Sequence, residues 1–307
     1  MRRIIAFVLL LTLMPSTAAL ATDLDELLDR GHEATYSAEQ IISCSTPDGD
    51  RDALVQIDQV GDEIRVSSSV RDNVEVVAGA GGWTLSRGGG LVFEATVDGS
   101  DTATDPLYTV EDKGAVEYLG RAAMAYMLIR EGEPRAELVI DDETGAVVKA
   151  VTLTVDDDVY CERRFVSLST EAPEFDDKAA SATERTAPAT IESSSLPELV
   201  TGFQLLDRYE DEDGFTFVYY SDGFFSFALF DTPKVVALPE AAVAEFDHAD
   251  YQRVFTAGQV AYVWETRDGG MALVGDLPPD MHEAILSEMP HPQDPGFFRR
   301  WWRNLFG

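Results

Sequence analysis

Positive charge is scarce in this sequence. Its 307 residues carry 23 Lys and Arg against 56 Asp and Glu, a formal net charge of −33 at pH 7. So acidic a surface repels phosphate backbones and anionic headgroups, which argues against broad electrostatic binding to nucleic acid. Two settings account for the excess. One is a high-salt habitat, where screening relieves self-repulsion; the other is a very soluble secreted surface. Histidine is also sparse. His32, His248, His282 and His291 lie far apart, and no pair has metal-ligand spacing on a helix. There is no Gly-x-Ser-x-Gly elbow. Neither Gly81-Gly82 nor Gly88-Gly89-Gly90 is followed by the Gly-Lys-Ser/Thr of a phosphate loop. Asp156-Asp157-Asp158 and Asp211-Glu212-Asp213-Gly214 are contiguous, whereas an EF-hand places its ligands at alternating positions, so these read as solvated turns. Acidic residues are so frequent that their spacing singles out no acid–base pair. No metal or cofactor is expected, and the sequence reads as that of a binding protein and not an enzyme.

Only two cysteines are present, Cys44 and Cys161. Their spacing fits no zinc pattern. The N-terminus indicates an oxidising destination. Arg2 and Arg3 precede an apolar run, Ile4–Met14, that Pro15 and Ser16 break, and Ala19-Leu20-Ala21 fits a leader-peptidase site. Residues 1–21 are therefore read as a signal peptide, with the mature chain starting at Thr22. The alternative is an uncleaved anchor, for which the run is short against the ~20 residues of a membrane span. In an exported chain an even cysteine count suggests one disulfide; two free thiols are the alternative.

The mature chain falls into blocks. Leu24, Leu27 and Leu28 recur at helical spacing up to Gly31. Short Val- and Ile-rich segments follow: Tyr36–Ser45, Ala53–Val60, Glu63–Val70, Val74–Ala78, Trp83–Leu85 and Leu91–Thr96, divided by Gly and Asp turns. Val116–Leu119 continues the meander, and Ala122–Ile129 reads as strand or helix. Arg135–Ile140 and Ala146–Val155 flank Asp141-Asp142-Glu143-Thr144-Gly145, a tight hairpin with Gly145 at a positive-φ position. Tyr160–Leu168 is one more strand. Residues 169–195 then turn to Ala, Thr, Ser, Glu and Pro and read as a linker between domains at 22–168 and 196–289. In the second block, Phe203–Glu210, Phe215–Tyr220, Phe224–Phe230, Gln252–Phe255, Gln259–Thr266 and Met271–Gly275 are strand-like. Met281, Ile285 and Met289 share one face of a helix predicted over 279–289. Residues 290–307 form a separate tail, basic and aromatic on an acidic protein.

Several stretches resemble a known family. Leu196-Pro197, Gly202-Phe203, Tyr219-Tyr220-Ser221-Asp222-Gly223-Phe224-Phe225-Ser226 and Val274-Gly275-Asp276-Leu277-Pro278 resemble the C-terminal domain of MucB/RseB proteins. Leu119-Gly120-Arg121 and Ile140–Gly145 resemble the Gly-Arg strand and Asp-x-x-Thr-Gly hairpin of lipoprotein-carrier (LolA/LolB-like) domains, to which the MucB/RseB N-terminal domain belongs. The fold implied is α+β and mainly antiparallel β. A LolA-like half-open β-barrel, its concave face plugged by helices, precedes a small antiparallel-sheet α/β domain. The function implied is that of an extracytoplasmic regulator. Relatives bind the extracytoplasmic part of a membrane anti-sigma factor, shield it from proteolysis, and release it when a lipid-type envelope signal binds. A lipid or lipoprotein carrier is the alternative reading; a plain secreted structural module is a third. The long linker, the tail and the cysteine pair depart from the family.

Four expectations follow. Cys44 and Cys161, on the first and last strands of a closing barrel, pair in a disulfide. The concave side of the first domain, with strands such as Ile64–Val70 and Leu91–Thr96, forms an apolar cleft for an acyl chain; an ordinary closed core is the alternative. Tyr219, Tyr220, Ser221, Asp222, Gly223, Phe224, Phe225 and Ser226 form the partner-binding side, since aromatic anchors carry much interface energy, although alternate positions also suit a core. Phe297, Phe298, Arg299, Arg300, Trp301, Trp302 and Arg303 contact a membrane surface, as in a short interfacial helix, or else fold back on acidic groups of the same chain or enter the partner.

Overall fold

A computed structural model describes residues 34–47, 49–61, 63–68, 74–79, 82–87, 90–95, 107–173, 189–190, 196–210, 216–232, 241–246, 249–256, 259–267 and 269–292. The expected signal peptide, the helix expected around Leu24 and the aromatic tail lie outside these residues.

The first domain is one eleven-stranded antiparallel sheet: β1 (Thr35–Thr46), β2 (Gly49–Val60), β3 (Glu63–Ser68), β4 (Val74–Gly79), β5 (Gly82–Arg87), β6 (Gly90–Ala95), β7 (Tyr108–Tyr118), β8 (Arg121–Arg130), β9 (Glu133–Asp141), β10 (Val147–Leu153) and β11 (Val159–Ser169). Each strand pairs with its neighbour in sequence, except that β1 pairs with β11 and joins the two halves. Among the described residues β6 and β7 are the edge strands, and the sheet does not close. Alternation explains the strands. In β1 the side chains of Tyr36, Ala38, Gln40, Ile42 and Cys44 are buried and those between them are not, as a period of two demands. The segment Ala122–Ile129 is strand, within β8. The hairpin tips have the predicted chemistry: Leu119 and Gly120 both hold positive φ between β7 and β8, and Gly145 does so before β10.

The cysteine expectation is met. Cys44 and Cys161 stand opposite each other in the β1–β11 register and form a disulfide, with Cα atoms 4.0 Å apart.

The second sheet contains β12 (Ala189–Thr190), β13 (Leu199–Val200), β14 (Phe203–Glu210), β15 (Thr216–Ser221), β16 (Ser226–Thr232), β17 (Ala242–Phe246), β18 (Ala249–Thr256), β19 (Gln259–Glu265) and β20 (Gly270–Gly275). Its order is β12-β14-β15-β16-β20-β19-β18-β17, with β13 beside β14. The predicted linker thus contributes Ala189–Thr190 to this sheet, through pairing with β14. One helix is present among the described residues, α1 (Pro279–Glu288). The helices expected across the concave face of the first sheet fall on none of the described residues. Met281, Ile285 and Met289 are buried, as their spacing required.

The core is shared between the domains. One buried cluster joins Tyr126, Leu128, Leu138 and Ile140 of the first sheet to Phe203, Tyr220, Phe225 and Phe227 of the second and to Ile285 of α1. Another joins Ile42, Ile57, Val66, Ala125 and Val148 to Tyr209, Phe217, Tyr219 and Ala228.

Candidate functional site at the domain junction

The motif residues of the second domain meet cations of the first. Asp222 organises the turn between β15 and β16. One of its carboxylate oxygens accepts from the backbone N–H groups of Phe224 (3.0 Å) and Phe225 (2.8 Å), while the Ser221 hydroxyl accepts from Gly223 N–H at 3.0 Å. Gly223 has φ +96°, a region open mainly to glycine. This is what Ser-Asp-Gly supplies: two short acceptors immediately before a left-handed residue. The second carboxylate oxygen of Asp222 points across the junction. There it accepts from the Tyr108 hydroxyl at 2.7 Å and from Arg130 Nη1 at 2.6 Å. Asp222 is 1% exposed.

Arg130 is held in turn. Its Nη2 donates to the Thr201 carbonyl at 2.8 Å, and the guanidinium lies 5.5 Å from the centre of the Phe203 ring. Gly202 sits between those two residues with φ +85°, and a Cβ there would come within 2.7 Å of Arg130 Nη2. The Gly-Phe of the sequence motif is therefore the seat of an arginine from the other domain. Gly275, next to Asp276, is equally constrained: a Cβ would meet Phe227 Cβ at 3.0 Å.

Two further pairs cross the junction. Arg163 Nη2 lies 2.8 Å from Asp276, both nearly inaccessible, and Arg135 Nη2 lies 2.6 Å from Asp280 in the first turn of α1. Burial raises the Asp222 carboxyl above its ordinary range, against the pull of Arg130 and Tyr108. Burial likewise pushes Asp276 up to about 6, with Arg163 opposing. Desolvation and the neighbouring Asp222 drive the Tyr108 hydroxyl well above its ordinary value, so it remains a donor. Beneath them His282, fully buried against the Tyr262 ring at 5.2 Å, is pushed down by burial to about 3 and is neutral.

The first-domain motifs serve a separate end. Arg121 of Leu-Gly-Arg grips Asp141 through Nε at 2.7 Å and Nη2 at 3.0 Å. Thr144 donates both its N–H and its hydroxyl to Asp141 Oδ1. Burial works against the Asp141 charge, but these donors hold its carboxyl below the usual range. This network ties the β7–β8 turn to the β9–β10 turn at one end of the first sheet.

The residues expected to form an exposed partner-binding side occupy a different environment. Tyr219, Tyr220, Ser221, Asp222, Phe224, Phe225 and Ser226 are buried, and Gly223 is half-buried. The aromatic run is not solvent-facing because the first domain covers the Asp222 turn, with Tyr108 edge-on to Phe224 at 5.6 Å. Phe297–Arg303 lie outside the described residues. Sequence reasoning missed Tyr108, Arg130, Arg135 and Arg163. A signal was available at one of them: Arg130 closes the apolar run Ala122–Ile129 in a chain poor in cations, and such an arginine tends to answer a buried carboxylate.

The junction also encloses a cavity of about 450 Å³, lined among others by Arg130, Arg135, Thr201, Phe203 and Met281. Among the described residues no group of three or more His, Cys, Asp or Glu could hold a metal ion, and no helix is long and apolar enough to cross a membrane. What the arrangement does chemically is fix two sheets against each other through charged groups removed from water.

An open antiparallel meander, fastened through buried Arg–Asp pairs to a second antiparallel sheet, has a counterpart in the fold of MucB. Solved structures bear this out at the level of fold. The Pseudomonas aeruginosa MucA/MucB complex is similar to this chain with a TM-score of 0.54 at 20% identity, covering 87% of this chain and 97% of that one. A crystal structure of MucB gives 0.55 at 18% identity over 87% and 98%, and MucB in complex with MucA(peri) gives 0.53 at 20% over 87% and 97%. No family model matches the sequence. No curated protein matches it either.

Proposed function

We propose that this protein is a non-enzymatic extracytoplasmic regulator that binds the extracytoplasmic part of a membrane anti-sigma factor and so controls sigma-factor activity. The observation that carries the reading is the MucB-like fold along nearly the whole of both chains, with MucB itself solved in complex with MucA(peri). The leader sequence and the Cys44–Cys161 disulfide support an oxidising, periplasmic location.

Two finer elements belong to the proposal. First, a lipid-type envelope signal releases the partner. The support is that the strand order of the first sheet does not close on itself; Ile42, Ile57 and Val66 on that sheet are packed in one cluster with the second domain, so a lipid would act by displacing that cover. Second, the partner engages Tyr219–Ser226. Because these residues are covered by the first domain, that contact requires the junction to part, and Arg130 and Arg163 would then be the groups released.

The regulatory role is tested in the native cell with a reporter driven by the sigma factor encoded nearest this gene. Deleting the gene should raise reporter output, and a plasmid copy should restore it. Unchanged output in the deletion strain, together with lipid co-purifying with the protein, would replace regulation by the carrier reading.

A further inference from the structure

The junction cavity has a chemistry of its own. Two of its lining cations are spoken for: Arg130 by Asp222, and Arg135 by Asp280. Left over at its mouth are Glu131 and Glu133, both exposed and neither in an ion pair among the described residues. Its lining also includes the apolar side chains of Val155, Met281 and Ala284. Thr201 and Asp280, also in the wall, each keep a buried side-chain oxygen with no hydrogen-bond partner. An acidic rim over an apolar floor, with spare acceptors, suits a ligand that is aromatic and basic at once.

This chain carries such a segment. Phe297-Phe298-Arg299-Arg300-Trp301-Trp302-Arg303 stands out from an otherwise acidic sequence. Its point of departure is next to the cavity. The last residue of α1, Glu288, accepts from the backbone N–H of Thr201 at 3.4 Å, and the Pro290 carbonyl is held by Trp264 Nε1 at 2.8 Å. From Pro292 the chain can reach roughly 17 Å by Phe297 and roughly 30 Å by Trp301. The helix that separates its end from the cavity's deep wall, at Asp280 and Met281, is only about 15 Å long. A tethered segment within reach meets its site at an effective concentration in the millimolar range, so even weak contacts suffice.

We infer that the junction cavity is the docking site of the chain's own C-terminal segment, Phe297–Phe306, with its arginines against Glu131 and Glu133 and an aromatic ring against Val155, Met281 and Ala284. The segment then bridges the two domains, since Glu131 and Glu133 belong to the first and Met281 and Ala284 to the second. This does not depend on the identity of any external partner.

The test uses a fluorescently labelled peptide spanning Phe297–Gly307 and fluorescence anisotropy. Three proteins are compared: the mature chain, the chain ending at Gly296, and the shorter chain with E131K and E133K. Truncation leaves the described core intact, because its last buried residue is Met289. Both glutamates are exposed, so their reversal leaves packing untouched. The peptide should bind the shortened chain, at least about ten-fold more weakly the mature chain, whose own tail competes, and at least about ten-fold more weakly the double variant, a difference of about 1.4 kcal/mol in each case. No binding to the shortened chain, or equal binding to all three, overturns the inference. So does a result in which the peptide ignores every protein while the mature chain alone floats with anionic phosphatidylglycerol vesicles, which would assign the segment to a membrane.

Discussion

Asp222 shows how one residue can serve two levels of structure. One oxygen closes the Ser221–Ser226 turn and the other receives Tyr108 and Arg130 from the other domain. Buried ion pairs contribute little net stability when compared with apolar substitutes, but removing one partner strands a charge out of water. Arg130→Met should therefore destabilise the protein by about 3–5 kcal/mol. The same substitution in an Asp222→Asn background should cost much less, because no carboxylate remains to be stranded. Urea unfolding of the four proteins checks this; equal costs in both backgrounds would mean that Arg130 acts by packing alone.

His282 and Asp276 make the pH dependence a two-sided matter. The folded-state pKa of His282 is depressed from 6.5 to about 3. Its contribution is thus fully present above pH 6.5 and is lost as pH falls below that. The folded-state pKa of Asp276 is raised from 3.8 to about 6, so its contribution has the opposite sense: present below pH 3.8 and lost as pH rises through 6. Each group contributes a slope of about 1.4 kcal/mol per pH unit where only one state is protonated, so the two largely cancel between roughly pH 4 and 6. His282→Leu removes the imidazole's opposing slope, so on acidification from pH 6 to pH 4 the variant should gain stability relative to wild type. Chemical denaturation at stepped pH reads this directly. A wild-type-like flat profile in the variant would show that the imidazole does not titrate as assigned.

At the scale of elements, the disulfide ties β1 to β11, the one place where the eleven-stranded sheet pairs strands distant in sequence. Its loop spans 117 residues, so a Cys44→Ala/Cys161→Ala variant should lose about 3–5 kcal/mol in the chain-entropy view. Differential scanning calorimetry against wild type measures it, and an unchanged melting temperature would mean that the ladder alone holds the seam. These elements were also the most legible in the sequence. Alternation in Tyr36–Ser45 marked β1, turn chemistry marked the Asp141–Gly145 hairpin, and four-residue spacing marked α1. Where local pattern failed, tertiary context decided. Ala122–Ile129 carried no clear period because β8 has buried residues on both faces, Ala125 in one cluster and Tyr126 in the other. The aromatic run from Tyr219 to Phe227 was read as a surface for a related reason. A strand covered on both sides shows no polar face, and nothing local says whether its cover belongs to another protein or to the same chain. The Arg130–Asp222 and Arg163–Asp276 pairings join positions far apart in sequence, so a single sequence displays the residues without their partners.

At the scale of the whole molecule, the two sheets are bound into one unit by clusters that each draw on both domains and by three Arg–Asp pairs across the junction. Geometry of this kind suits a protein that holds a partner and lets go of it. A charged, desolvated seam favours one relative orientation and resists intermediate ones, so anything that parts it gives a discrete change. The central claim is that the mature protein binds the extracytoplasmic segment of a membrane anti-sigma factor. Isothermal titration of the two purified components tests it most directly. The account predicts saturable, stoichiometric binding with a Kd in the micromolar range or tighter, about −8 kcal/mol or more. Heats indistinguishable from dilution, with both components folded, would contradict it.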